Sequence, residues 1–123
     1  MVDDLEGATA QILDSLFAVI KSRQGGDSEQ SYTARLFAKG RLKIAQKVGE
    51  EAVETVLAAV AQEPSAVAAE SADLLYHLLV LWADCGVDPD SIWQELERRV
   101  GTSGIAEKNA RLATVKTVVE PLK

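Results

Sequence analysis

The stretch that most restricts this chain runs from residue 70 to residue 82 and reads Glu-Ser-Ala-Asp-Leu-Leu-Tyr-His-Leu-Leu-Val-Leu-Trp. Leu74, Leu75, Leu78, Leu79, Val80, Leu81 and Trp82 cover it almost without a polar gap. A helix built this way needs burial on several sides. At about 100° per residue, however, Glu70, Asp73 and His77 fall within roughly 60° of one another on one face. Carboxylates on so apolar a helix must pair or bind a cation, because an isolated buried charge is expensive.

The preceding segment has the same character. Lys43, Lys47, Glu50, Glu51 and Glu54 occupy a sector of roughly 100° on the helical wheel. Ile44, Val48, Ala52, Val53, Val56, Leu57 and Val60 cover most of the remainder. Three glutamates at i, i+1 and i+4 repel one another unless a cation draws them together. A lone Glu-Glu-x-x-Glu run is ordinarily a solvated helix face. The apolar surroundings and the second acidic pair argue against that here. If the two strips face each other, Glu50, Glu51, Glu54, Glu70 and Asp73 converge on one site. All-oxygen donor sets suit hard cations, chiefly Mg²⁺ or Mn²⁺, and Mg²⁺ commonly takes up substrate phosphates. Lys43 and Lys47 stand on the same strip as point charges for phosphate oxygens.

Around these two segments the punctuation predicts an all-α chain of about five helices. Ile12, Leu13, Leu16, Phe17 and Ile20 make an apolar stripe within a helix from Leu5 to about Arg23, ended by Gly25-Gly26-Asp27. Ser31 is a candidate N-cap for a short helix ending near Gly40. The third helix spans Arg41 to about Gln62, and its internal Gly49 suggests close packing or ligand approach at that point. Pro64 closes it, and the fourth runs from Ser65 to about Asp84. Gly86 suits a left-handed C-terminal position, and Asp88-Pro89 opens a fifth helix to about Val100. Gly101-Thr102-Ser103-Gly104 reads as a flexible link.

Composition narrows the class of function. A formal net charge of −6 argues against non-specific binding to nucleic acid or anionic membrane. A single cysteine, Cys85, excludes an internal disulfide framework and reads as a packing residue. The acidic start, Met1-Val2-Asp3-Asp4, is unlike a signal peptide, and no stretch is expected to approach a membrane span of about 18 apolar residues. A cytoplasmic location is expected. His77 reads as a core histidine or one that supports a ligand, and Tyr76, Trp82 and Trp93 as core or interface residues.

The acidic residues form Glu50-Glu51-x-x-Glu54 followed by Glu70-x-x-Asp73, the pattern of the all-α nucleotide pyrophosphohydrolases. Longer stretches narrow the likeness: Ser31–Gly40 (Ser-Tyr-Thr-Ala-Arg-Leu-Phe-Ala-Lys-Gly), Lys43–Glu51, Glu70–Leu81 and Ser103–Lys108 (Ser-Gly-Ile-Ala-Glu-Lys). Over about residues 5–110 the chain resembles the phosphoribosyl-ATP pyrophosphatase family of histidine biosynthesis.

The resemblance implies one domain over residues 1–110, with 111–123 an extension beyond the usual family end. It also implies an obligate homodimer with a four-helix-bundle-type core, and Mg²⁺ held by Glu50, Glu51, Glu54, Glu70 and Asp73. The implied reaction splits phosphoribosyl-ATP into phosphoribosyl-AMP and pyrophosphate by Mg-activated water attack. Glu50 or Glu51 serves as base and Lys47 stabilises charge. Lys39, Arg41, Lys43, Lys47 and Lys108 would lie near the nucleotide. Two alternatives remain open at this point. One is a pyrophosphohydrolase of other nucleoside triphosphates such as dUTP or dCTP, and the other is a non-catalytic helical dimer stabilised by metal.

Overall fold

The computed structural model describes residues 8–100, residue 104 and residues 108–113. The chain divides into two compact units, Met1–Pro89 and Asp90–Lys123, and each is described by itself. Among the described residues all regular structure is helical. The elements are α1 (Ile12–Ser22), α2 (Tyr32–Lys39), α3 (Arg41–Val60), α4 (Pro64–Cys85) and α5 (Pro89–Arg99). Residues 108–113 are helical as well.

Local chemistry explains most of the boundaries. The Ser31 hydroxyl accepts a hydrogen bond from the Ala34 amide at 3.1 Å, capping α2 as its position predicts. Gly40, at φ 97° and ψ 169°, joins α2 directly to α3, a conformation that is essentially restricted to glycine. Gly86 closes α4 in the left-handed region at φ 73°. The first described helix starts where its apolar stripe starts, at Ile12, and later than the expected bound at Leu5. Residues 8–11 are not helical: the Thr9 carbonyl accepts from the Ile12 amide in a turn, and the Thr9 hydroxyl accepts from the Gln11 amide. The part of that expectation covering residues 5–7 lies outside the described residues, as do residues 101–103 and 105–107 of the link and of the Ser103–Lys108 stretch, and residues 114–123 of the C-terminal extension.

The first unit is organised by α3 and α4, which form an antiparallel hairpin joined by Ala61, Gln62 and Glu63. Twenty residues at 1.5 Å each make α3 about 30 Å long. Only one end of this hairpin carries a core. Ile20 from α1, Leu36 from α2, Ile44 from α3 and Leu79, Val80 and Ala83 from α4 are buried together, with Phe17, Phe37, Tyr76 and Trp82 packed against them. Arg41 fastens the same end, donating from Nε to Asp84 Oδ2 and from Nη2 to the Asp84 carbonyl, both at 2.9 Å.

Towards the other end the apolar faces are bare. Val53, Val56, Leu57 and Val60 are 57–74% exposed. Among the described residues of this unit, the burial on several sides expected for α3 is not provided, because α1 and α2 reach only the half containing Ile44. Gly49 likewise has nothing within 4 Å of where a Cβ would sit, so no packing among the described residues accounts for it. Cys85 is exposed rather than packed. By length and composition α4 is apolar enough to cross a membrane, which corrects the reading that no such stretch exists. Its two carboxylates in the middle, Glu70 and Asp73, are too few to offset the Ala- and Leu-rich remainder. In the second unit, Glu95 on α5 accepts from Arg98 and Arg99, whose hydrogen bonds pull its carboxyl down to about 2.

Two substitutions test this account of the supported end. Ile44 is completely buried, so Ile44→Ala lowers unfolding free energy by about 2–5 kcal/mol. Gly40→Ala meets no atom but forces a strained backbone, for a loss of about 1–3 kcal/mol. Denaturant melts measure both, and a Gly40→Ala protein as stable as the parent contradicts the strained junction.

Candidate functional site

Helical register aims the acidic residues into the hairpin. Glu51 lies two turns beyond Ile44 on the side of α3 that meets α4, and is 6% exposed. On α4, Asp73, His77 and Val80 follow at i, i+4 and i+7, so the face that carries the core at one end carries acid at the other. Glu51, Glu70 and Asp73 each bring one carboxylate oxygen within 4.8 Å of the other two. Glu51 is buried, Glu70 half-buried and Asp73 exposed, which makes the cluster a groove open on one side.

Electrostatically this is an unfavourable arrangement for the bare chain. Burial pushes the Glu70 carboxyl above its ordinary range, and the charges of Glu54, Asp73 and Glu51 push it further. Glu54 lies within hydrogen-bonding reach of Glu70. One Glu70 oxygen, Oε1, is buried and has no hydrogen-bond partner. An unpartnered buried oxygen among three converging carboxylates has the donor chemistry of a hard divalent cation site. Glu51, Glu70 and Asp73 could hold such an ion, with Glu54 beside them.

The remaining residues of the sequence-derived set separate into distinct places. Glu50 is exposed and stands outside the trio. It accepts from Gln46 Nε2 at 2.8 Å and meets Lys47 Nζ at 3.5 Å. The Gln46 hydrogen bond, with Lys47 and Lys43 nearby, holds its carboxyl below the ordinary value. Lys47 bridges the two groups, with Glu51 Oε2 at 3.6 Å. Partial burial works against the Lys47 charge, but Tyr32, Glu50 and Glu51 outweigh it and raise its pKa. Lys43 is half-buried one turn before Lys47, and Lys39 is exposed in the last turn of α2. Arg41 sits ten residues before Glu51, about 15 Å along the helix, and is engaged with Asp84. Lys108 is exposed in the second unit.

One set of contacts has no counterpart in the sequence reading. The Tyr32 hydroxyl lies 3.4 Å from His77 Nε2, and His77 Nδ1 lies 2.8 Å from the Asp73 carbonyl. Thr33 hydrogen-bonds the Tyr76 hydroxyl. The Tyr32 and His77 positions are 45 residues apart, and no periodicity links them.

Comparison with known proteins identifies the family of the chain. The family model described as phosphoribosyl-ATP pyrophosphohydrolase matches residues 13–100. A protein of Azospirillum brasilense named phosphoribosyl-ATP pyrophosphatase is 62% identical over 103 residues, covering 84% of this chain and 93% of the relative. Proteins with the same name from Paramagnetospirillum magneticum and Rhodospirillum rubrum are each 63% identical, over 83% and 82% of this chain and 94% and 86% of their own lengths. The chain belongs to the phosphoribosyl-ATP pyrophosphohydrolase family.

Proposed function

We propose that this chain is the histidine-biosynthesis enzyme that hydrolyses phosphoribosyl-ATP to phosphoribosyl-AMP and pyrophosphate, acting as a cytoplasmic homodimer with Mg²⁺ in the acidic groove. The observation that carries the reading is the convergence of Glu51, Glu70 and Asp73 beside Lys47, with Glu70 Oε1 left without a partner. Close relatives bearing that enzyme's name support the choice of substrate over dUTP or dCTP.

Glu51, Glu70 and Asp73 would hold the cation, with Glu54 completing the acidic wall next to Glu70. When bound, the cation neutralises charge on the substrate's phosphates and makes a water more acidic. Lys47, anchored by Glu50, stabilises charge on the phosphate oxygens and on the departing pyrophosphate. Lys43, on the same strip, extends the positive edge of the groove. The proton of the attacking water passes to Glu50 or Glu51. Arg41 fastens the open, core-bearing end of the hairpin through Asp84, while Lys39 and Lys108 are assigned to the nucleotide by resemblance alone. No covalent intermediate is required.

The uncovered side of α3 supports the homodimer. Leu42, Gly49, Val53, Val56 and Val60 share a sector of about 60° on that helix, and Leu42 is 85% exposed. So continuous an apolar stripe is an interface when the rest of the surface is charged. A glycine in its middle, with open space above it, lets a second backbone approach. The free, exposed thiol of Cys85 suits a reducing compartment.

Three outcomes are expected. Glu51→Gln lowers turnover of phosphoribosyl-ATP at saturating Mg²⁺ by about 10²-fold or more, followed as pyrophosphate release. Activity near that of the parent removes the trio from the reaction, and faster turnover of dUTP or dCTP by the parent changes the substrate. Val56→Glu shifts the protein from dimer to monomer in sedimentation experiments, whereas an unchanged dimer rules out this stripe. The third concerns pH. Because the Glu70 pKa is raised on folding, the metal-free folded state binds the proton more tightly than the unfolded chain. Its stability therefore falls as pH rises above the ordinary glutamate range. Metal-free Glu70→Gln should melt above the parent at pH 8, with the gap closing towards pH 4. It should also lose most of the stabilisation that the parent gains from Mg²⁺. Identical melting of the two proteins at pH 8 contradicts the strained carboxyl.

A further inference from the structure

Phe17, Phe37, Tyr76 and Trp82 pack against the core, and among the described aromatic residues of the first unit only Tyr32 is exposed. It is 48% exposed, yet both its ring and its hydroxyl are held. The ring lies 6.3 Å from that of Tyr76 at an interplanar angle of 25°, and edge-on to His77 at 6.2 Å. Tyr76 is fixed in turn by Thr33, and its ring packs edge-on against His77 at 4.9 Å. A backbone carbonyl only accepts, so His77 Nδ1 donates to the Asp73 carbonyl at 2.8 Å. In the neutral ring Nε2 is then an acceptor, and the Tyr32 hydroxyl, 3.4 Å away, donates to it. These partners of the ring and hydroxyl stand on α4. They take up one face and the tip of the ring, and its other face is left to solvent. An exposed ring held this firmly loses little further freedom when a planar group stacks on it.

We propose that the open face of Tyr32 is the platform on which the purine base of the nucleotide stacks. Position is the first argument. His77 follows Asp73 by one turn of α4, about 6 Å, and the Tyr32 hydroxyl rests on His77. The ring therefore stands just beyond Asp73, the exposed member of the carboxylate trio. With the phosphates at the trio, a ribose separates the phosphate that stays on the nucleoside from the base, a span comparable to that turn. The second argument is the composition of the hairpin in the opposite direction. Between Phe37 and Tyr76 the chain carries no aromatic residue. The arms of the hairpin beyond Glu51 and Glu70 thus offer a base no ring to stack on. An aromatic face binds planar bases without reading their edges, and a two-ring purine covers more of it than a pyrimidine does.

This inference rests on the hydrolase reading above, and the experiment separates the two. Steady-state kinetics on phosphoribosyl-ATP with Mg²⁺ are compared for the parent, Tyr32→Phe, Tyr32→Trp and Tyr32→Leu. Inorganic pyrophosphate serves as an inhibitor that has no base. A stack is present before and during the reaction alike, so Tyr32→Leu should raise KM about tenfold and leave kcat within about twofold. Tyr32→Phe and Tyr32→Trp keep a platform and should stay within about threefold of the parent in KM. The inhibition constant of pyrophosphate and the sedimentation of the protein should be the same throughout. An unchanged KM in Tyr32→Leu overturns the proposal. An equal rise in Tyr32→Phe overturns it by assigning the effect to the hydroxyl, and weaker pyrophosphate inhibition does so by assigning it to the groove. A Tyr32→Leu protein that sediments differently from the parent places the ring in a subunit contact and also overturns it. If Tyr32→Leu does not fold, Tyr32→Trp decides, and a KM more than about threefold above the parent's is the contrary result. A parent that fails to turn over the substrate overturns the hydrolase reading, and this inference with it.

Discussion

Like charges held together inside a helical hairpin govern the rest of this structure. Glu51 and Glu70/Asp73 project from two helices that are packed side by side, and their carboxylates come within 4.8 Å of one another. In water, side chains on a mobile surface would swing apart. Here Glu51 cannot, because it occupies the same buried face of α3 as Ile44, and withdrawing it would require rotating the helix out of its core. The packing thus confines the repulsion to one place, where a cation can relieve it.

The hairpin can bear that load because its two ends do different work. One end is closed by α1 and α2, by the buried cluster around Ile44 and Val80, and by the Arg41 fork on Asp84. Gly40 lets α2 turn straight into α3, which brings Tyr32 and Thr33 back alongside α4. The other end is acidic on one side and bare and apolar on another. Among the described residues Val56 and Val60 are left exposed, while the short helices cover the opposite end. A second copy on the bare stripe supplies the missing burial in the dimer proposed above.

Much of this was legible in the sequence because it depends on local rules. Ser31 caps, Gly86 takes the left-handed position and Pro89 opens a helix, each for reasons contained within a few residues. The two acidic strips were visible because a helix has a fixed period, and three of their five carboxylates meet. The period could not separate Glu50 from Glu51. They are neighbours about 100° apart, and only the direction of α4 decides that Glu51 faces inward. Arg41 was placed near the nucleotide by resemblance; its engagement with Asp84 is a property of the antiparallel pairing, 43 residues apart in sequence, that no local pattern carries. The Tyr32–His77 contact is hidden for the same reason. The exposure of Val53 to Val60 was missed because an apolar helix announces that it will be covered, not by which chain.

The central claim is that the facing carboxylates of α3 and α4 share one divalent ion, and diffraction can test it without any assay. Crystals grown or soaked with Mn²⁺ and measured at the manganese absorption edge locate the ion directly. The account predicts the strongest anomalous peak between Glu51, Glu70 and Asp73, with Glu70 Oε1 among its ligands. Full Mn²⁺ occupancy elsewhere, with this groove empty, would contradict it.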